Sequence, residues 1–115
     1  MPDDKGSAEL FVAAMNAFDG DAVAAMLAPG FRFTIGSHVG DRDDFLASLA
    51  TGSPADPYLR FEPHAYEAEG SAVVVVGSQV YRWRESDEIA TTSEQELRLE
   101  FEDGLVVLAA VTPHG

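Results

Sequence analysis

Leu10, Phe11, Ala14, Met15 and Phe18 recur at the spacing of one helix face, which predicts a helix over about residues 7–17 with Ser7 as its N-cap. Asp19-Gly20-Asp21 interrupts that pattern and can cap a second, short helix over 22–28, ended by Pro29-Gly30. Phe31, Phe33 and Ile35 then alternate with Arg32 and Thr34, the period of a short strand. A third helix follows. Asp41 is its candidate cap, Asp43 and Asp44 suit the positive end of its dipole, and Phe45, Leu46 and Leu49 form its apolar stripe. The run Thr51 to Pro57 is loop by composition.

From Tyr58 onward the period is two, and four strands fit, at about 58–68, 72–84, 88–102 and 104–112. Glu69-Gly70 and Asp103-Gly104 are tight-turn signals, and Glu85-Ser86-Asp87 supplies the turn between them. Helices first and a meander afterwards predict one α+β domain over 1–115, with the helices on one face of the sheet. In the strand over 88–102, Ile89, Thr91, Ser93, Gln95, Leu97, Leu99 and Phe101 share one side, which should be packed. Glu94, Glu96, Arg98, Glu100 and Glu102 share the other, wet side. Val73 to Val76 and Leu105 to Val111 are apolar on both sides, so their outer face needs a cover. A second copy of the sheet is the simplest one, which predicts a two-fold homodimer through the sheet.

Composition narrows the function classes. Twenty Asp and Glu against seven Lys and Arg give a formal net charge of -13. Such a surface repels phosphate backbones and anionic lipid, which argues against nucleic-acid or membrane partners. It could favour cationic partners, although keeping the protein soluble is the plainer reading. With no cysteine, disulfides, thiolate metal sites and thiol catalysis are excluded. No apolar run reaches transmembrane length, and the acidic start at Met1-Pro2-Asp3-Asp4-Lys5 lacks the apolar region of a signal peptide, so a cytoplasmic protein is expected.

The stretch from Leu10 to Phe33, with Asn16-Ala17-Phe18-Asp19 joining the first two helices, resembles the opening of the nuclear transport factor 2-like superfamily. Gly40-Asp-Arg-Asp-Asp-Phe45 is similar to the start of its third helix, and Leu99-Glu-Phe-Glu-Asp-Gly-Leu-Val-Val107 to its final hairpin. That group includes SnoaL-like polyketide cyclases and ketosteroid isomerase. The resemblance implies a cone-shaped, curved antiparallel sheet with three N-terminal helices enclosing an apolar pocket. It does not deliver an activity, because the fold hosts many. Aligned on the Asn-Ala-x-Asp element, the isomerase's tyrosine donor falls at Phe11, its aspartate base at Ile35 and its protonated aspartate at Leu97, or at Gln95 if the register slips. SnoaL-type cyclases use an aspartate facing the pocket from a late strand. The packed face of the strand over 88–102 has no ionisable residue, and general acid–base catalysis requires one.

His38, between the first strand and the third helix, is the leading remaining candidate for chemistry, paired with Asp41 or Asp43 as a His–carboxylate dyad. An exposed loop histidine is the plainer reading. His64 is a second candidate, with a cross-strand structural partner as its plainer role, and His114 sits at the chain end. These scattered histidines lack metal-ligand spacing, so neither a metal nor another cofactor is expected. No serine sits in a Gly-x-Ser-x-Gly elbow.

In Tyr81-Arg82-Trp83-Arg84, inward aromatics would wall a pocket while the arginines pair with Glu94 and Glu96; the opposite register would suit an anionic ligand. The expected pocket lining is Phe11, Met15, Phe18, Phe33, Ile35, Phe45, Tyr81, Trp83 and Leu97, with Thr91, Ser93 and Gln95 to orient a ligand. The first functional reading is therefore a binder of a small, mostly hydrophobic molecule. The second is an isomerase, cyclase or hydratase using His38. The third is a protein-interaction module working through the sheet face.

Overall fold

The computed structural model describes residues 4–113. The order is α1 (Asp4–Asn16), α2 (Gly20–Met26), β1 (Leu27–Ile35), β2 (His38–Asp41), α3 (Arg42–Gly52), β3 (Tyr58–Glu69), β4 (Ala72–Arg82), β5 (Ile89–Glu102) and β6 (Leu105–Pro113). The three expected helices are present, with shifted ends. Ser7 lies inside α1 and is not its cap. Asp19 caps α2, its carboxylate accepting from the Ala22 N–H at 3.2 Å. Pro29 and Gly30 do not end that helix; they lie within β1. A proline is tolerated there because the pairing of β1 with β6 is irregular between Leu27 and Arg32, so no ladder bond is required of it.

Helix α1 closes with a Schellman turn. The Phe18 N–H donates to the Met15 carbonyl and the Asp19 N–H to the Ala14 carbonyl, each at 3.0 Å. Phe18 takes the left-handed conformation, φ 53°, that this turn usually gives to glycine. A bulky residue there is strained, and the turn directs its ring toward α3 and the sheet.

All six strands form one curved, unclosed sheet in the order β2-β1-β6-β5-β4-β3. Four of its five pairings are antiparallel: the three among β3, β4, β5 and β6 are those the turns predict, and the β1–β2 hairpin is additional. β1 runs parallel to β6, so the sheet is mixed. The Asp103-Gly104 turn uses positive φ at both residues, 53° and 81°. The core lies between the helices and the concave face, where Phe11, Val23, Phe31, Val73, Val75, Leu99 and Val106 are fully buried.

Two expectations about faces change. On β5, Leu97, Leu99 and Phe101 are buried and Gln95 is half-buried, but Ile89, Thr91 and Ser93 are exposed. That first part of the strand runs past the region that the helices cover. On the outer side of β4, Val74 (7% exposed), Ser78 (8%) and Val80 (2%) are already buried within one chain. Val74 lies between Glu67 and Arg98, and Val80 between Arg60 and Thr92. Both valines are thus covered within one chain, so this strand does not need a second copy to bury its outer face.

Candidate functional site

Between the end of α1, α3 and the concave face of the sheet lies a cavity of about 180 Å³. Met15, Phe18, Phe33, Ile35, Phe45 and Leu97 line it as the sequence predicts. Phe11 does not; it is wholly buried behind Phe45, with ring centroids 6.1 Å apart. Tyr81, Trp83, Thr91, Ser93 and Gln95 also lie outside the lining. Tyr81 and Trp83 sit at the exposed end of the β4–β5 hairpin, and the Gln95 amide donates to Ser93 Oγ at 3.0 Å.

Asn16, Ser48 and Gln79 are the polar residues among those lining the cavity, and none of the lining side chains among the described residues is ionisable. Asn16 is committed to the fold. Its Nδ2 donates to the Phe61 carbonyl at 2.8 Å, and its Oδ1 accepts from the Phe61 N–H at 2.9 Å. β3 is an edge strand, so these backbone groups have no neighbouring strand, and Asn16 pairs with them as a strand would. Ser48 Oγ donates to the Phe45 carbonyl at 3.0 Å. The Gln79 side chain makes no hydrogen bond to any described residue, its backbone alone being paired within the sheet. Asn16→Ala is expected to destabilise the protein by about 2 kcal/mol, because it removes two hydrogen bonds and leaves a partly buried backbone pair unsatisfied. Urea unfolding followed by circular dichroism would read this, and an unchanged midpoint would refute it.

His38 and Asp41 do not meet. Both lie on β2, three residues apart, and such residues point to opposite faces of a strand. His38 is exposed beside the cavity wall, 5.6 Å from the Phe33 ring by centroids. Asp41 pairs in register with Arg32 on the outer side and caps α3. Its Oδ1 accepts from the Asp44 N–H at 2.9 Å, and Asp44 Oδ2 accepts from the Asp41 N–H at 3.1 Å, a complete capping box. The Asp44 N–H holds the Asp41 carboxyl below its ordinary pKa.

A carboxyl depressed in the folded state stabilises the fold above its unfolded pKa, and that stabilisation is lost as pH falls through the folded value. The melting temperature of the wild type should therefore fall on acidification below about pH 4 more steeply than that of Asp41→Asn, with the variant already less stable at pH 7. Parallel pH profiles would refute this role.

The other candidates serve the outer surface. His64 Nε2 lies 2.8 Å from Ser78 Oγ, which donates to Glu94 Oε1 at 3.1 Å, so His64 has the cross-strand partner expected of it. Glu94 touches the hydroxyl and lies 3.7 Å from the same Nε2, not at the far ring nitrogen where a triad carboxylate orients its histidine. Arg82 pairs with Glu62 of β3 at 3.0 Å and not with Glu94 or Glu96, and it also donates to the Asp87 carbonyl at 2.9 Å. Arg84 grips the loop before β3, through the Ala55 and Ser53 carbonyls and, by its backbone N–H, the Asp56 carboxylate. Neither arginine lines the cavity, so the register that would suit an anionic ligand is not the one adopted. His114 lies outside the described residues. Among those described, no group of three or more His, Asp or Glu is placed to hold a metal ion, and no helix is long and apolar enough to cross a membrane.

The profile of the SnoaL-like domain matches residues 8–109. The chain belongs to the SnoaL-like domain family. Solved structures agree on the fold. A nuclear transport factor 2-like protein of unknown function from Cytophaga hutchinsonii superposes with TM-score 0.82 at 13% identity, covering 99% of this chain and 92% of that one. Another from Burkholderia pseudomallei gives 0.81 at 19% identity, again covering 99% and 92%. A protein of ketosteroid isomerase-like fold from Catenulispora acidiphila, in complex with trimethylamine, gives 0.76 at 8% identity over 92% of this chain and 83% of that one. No curated protein matches the chain significantly. At these identities the likeness establishes the fold, and any activity of this SnoaL-like domain has to be argued from its own residues.

Proposed function

We propose that this SnoaL-like domain binds a small hydrophobic molecule in the cavity between its helices and its sheet, without acid–base chemistry of its own there. The observation that carries this reading is the lining itself, an apolar wall drawn from α1, α3, β1 and four further elements with no ionisable side chain. The Catenulispora structure, which holds trimethylamine, supports the use of this fold for small molecules. The test is a thermal-shift screen of the pure protein against neutral hydrophobic compounds. A ligand that binds only the native state must raise the melting temperature by mass action, so clear shifts are expected. A flat response across the panel would overturn the reading.

Enzymatic use of His38 is the second reading, favoured by its ring lying against Phe33 of the cavity wall. It would require a substrate reaching out to an exposed imidazole. His38→Ala should then abolish turnover without unfolding the protein, and unchanged turnover would exclude it.

The proposal extends to a homodimer through the outer sheet face. Its support is the uncharged cross-strand row Val39, Thr34 and Ala110, in which Val39 is 61% exposed. Ala110→Asp should convert dimers to monomers in sedimentation analysis, and an unaltered dimer would count against that surface. Val75 is fully buried in the core and is not part of it.

A further inference from the structure

Resting on the binding reading above, we propose that the ligand is a neutral molecule of about one ring whose single hydrogen-bonding group, a ketone, alcohol or amide, meets the side-chain amide of Gln79. Three observations combine. The first is size: the cavity is about 180 Å³. A cavity of about 150 Å³ accepts benzene, so this one takes roughly six to ten non-hydrogen atoms and cannot enclose a four-ring steroid.

The second is charge. No lining side chain among the described residues is ionisable, and Arg82 and Arg84 are engaged elsewhere. An ionised ligand would be desolvated with no counter-charge, so the site selects neutral molecules.

The third is the disposition of the polar groups. Asn16 spends both ends of its amide on Phe61, and Ser48 donates to Phe45. Gln79 lies in β4 opposite Phe61 on one side and Ser93 on the other, half-buried in the lining, its side-chain amide making no hydrogen bond to any described residue. Its oxygen can accept and its nitrogen donate, so a ketone would take the N–H, an alcohol would give to the oxygen, and an amide could do both. With the other polar lining side chains, Asn16 and Ser48, bonded within the protein, this amide fixes which end of the ligand enters first.

The experiment titrates toluene, cyclohexanone, benzoate and a four-ring steroid ketone into the wild type and Gln79→Leu by calorimetry. The wild type should bind cyclohexanone most tightly, toluene more weakly, and benzoate and the steroid not measurably. Gln79→Leu should reverse the order of cyclohexanone and toluene, with cyclohexanone losing about fivefold to twentyfold in affinity, the loss of roughly one hydrogen bond.

Should the variant fail to fold, nitrogen–proton spectra of the wild type carry the same test. The Gln79 side-chain amide signal should shift with cyclohexanone and stay in place with toluene. Toluene and cyclohexanone binding alike with that signal unmoved, or benzoate or the steroid binding best, would overturn the proposal while leaving a binding pocket. No binding by any of the four compounds would overturn the pocket reading itself, and this proposal with it.

Discussion

Phe11→Ala is expected to destabilise the fold by about 3–5 kcal/mol, the cost of truncating a fully buried aromatic side chain. Phe11 has no solvent exposure and stacks on Phe45 with an interplanar angle of 15°. Phe45 in turn meets Phe31 edge-on at 5.3 Å and Phe33 at 5.3 Å, so the four rings form one unit joining α1, α3 and β1. Removing Phe11 leaves a void directly behind the cavity wall. If the unit is rigid, the void stays open and the full cost is paid; if Phe45 drops into the space, the cost falls and the cavity enlarges. Urea unfolding separates these cases. A loss under about 1.5 kcal/mol would mean that Phe45 relaxes, and the rigid-wall account would fail.

That ring unit shows how much of the site could be read from the sequence. Helical spacing gave Met15 and Phe45 and strand alternation gave Phe33, because each follows from the period of its own element. Ile35 and Leu97, where the resemblance to ketosteroid isomerase would put two catalytic carboxylates, both line the cavity, and both are apolar. Phe11, aligned with the tyrosine donor, lies one layer deeper.

Asn16 and Gln79 could not be found this way. Asn16 matters because α1 ends against the free edge of β3, and Gln79 because the inward face of β4 reaches the cavity at that position; both facts depend on how elements pack across the chain. The hairpin strand β2 is four residues long, too short to show a period. Bulges between Pro63 and Ala65 and between Tyr81 and Arg82 further displace the faces that simple alternation assigns. At Pro29-Gly30 local breaker chemistry suggested a helix end, while β1 runs through both residues and pairs with β6 on either side of them.

Gly77→Ala should destabilise the protein by about 3 kcal/mol, at the upper end for overpacking by one methyl group. A Cβ at Gly77 would lie 2.5 Å from the Glu62 carbonyl oxygen and 2.9 Å from the Phe61 ring. Backbone cannot rotate away as a side chain can, so β3 itself would have to shift. As an edge strand it is held on one side by β4, and on the other by the two bonds from Asn16 to Phe61. The Arg82–Glu62 ion pair adds a further tether. Moving β3 outward would strain these contacts and pull Phe61 from the cavity wall, so ligand affinity should fall together with stability.

The double variant with Asn16→Ala tests this chain of causes. If the added methyl group acts by shifting β3 out of register with Asn16 and so breaking its two bonds, the two losses should sum to less than their separate values by about 1 kcal/mol, since the same bonds cannot be lost twice. Strict additivity would mean that the strand yields elsewhere and that Asn16 does not hold its edge.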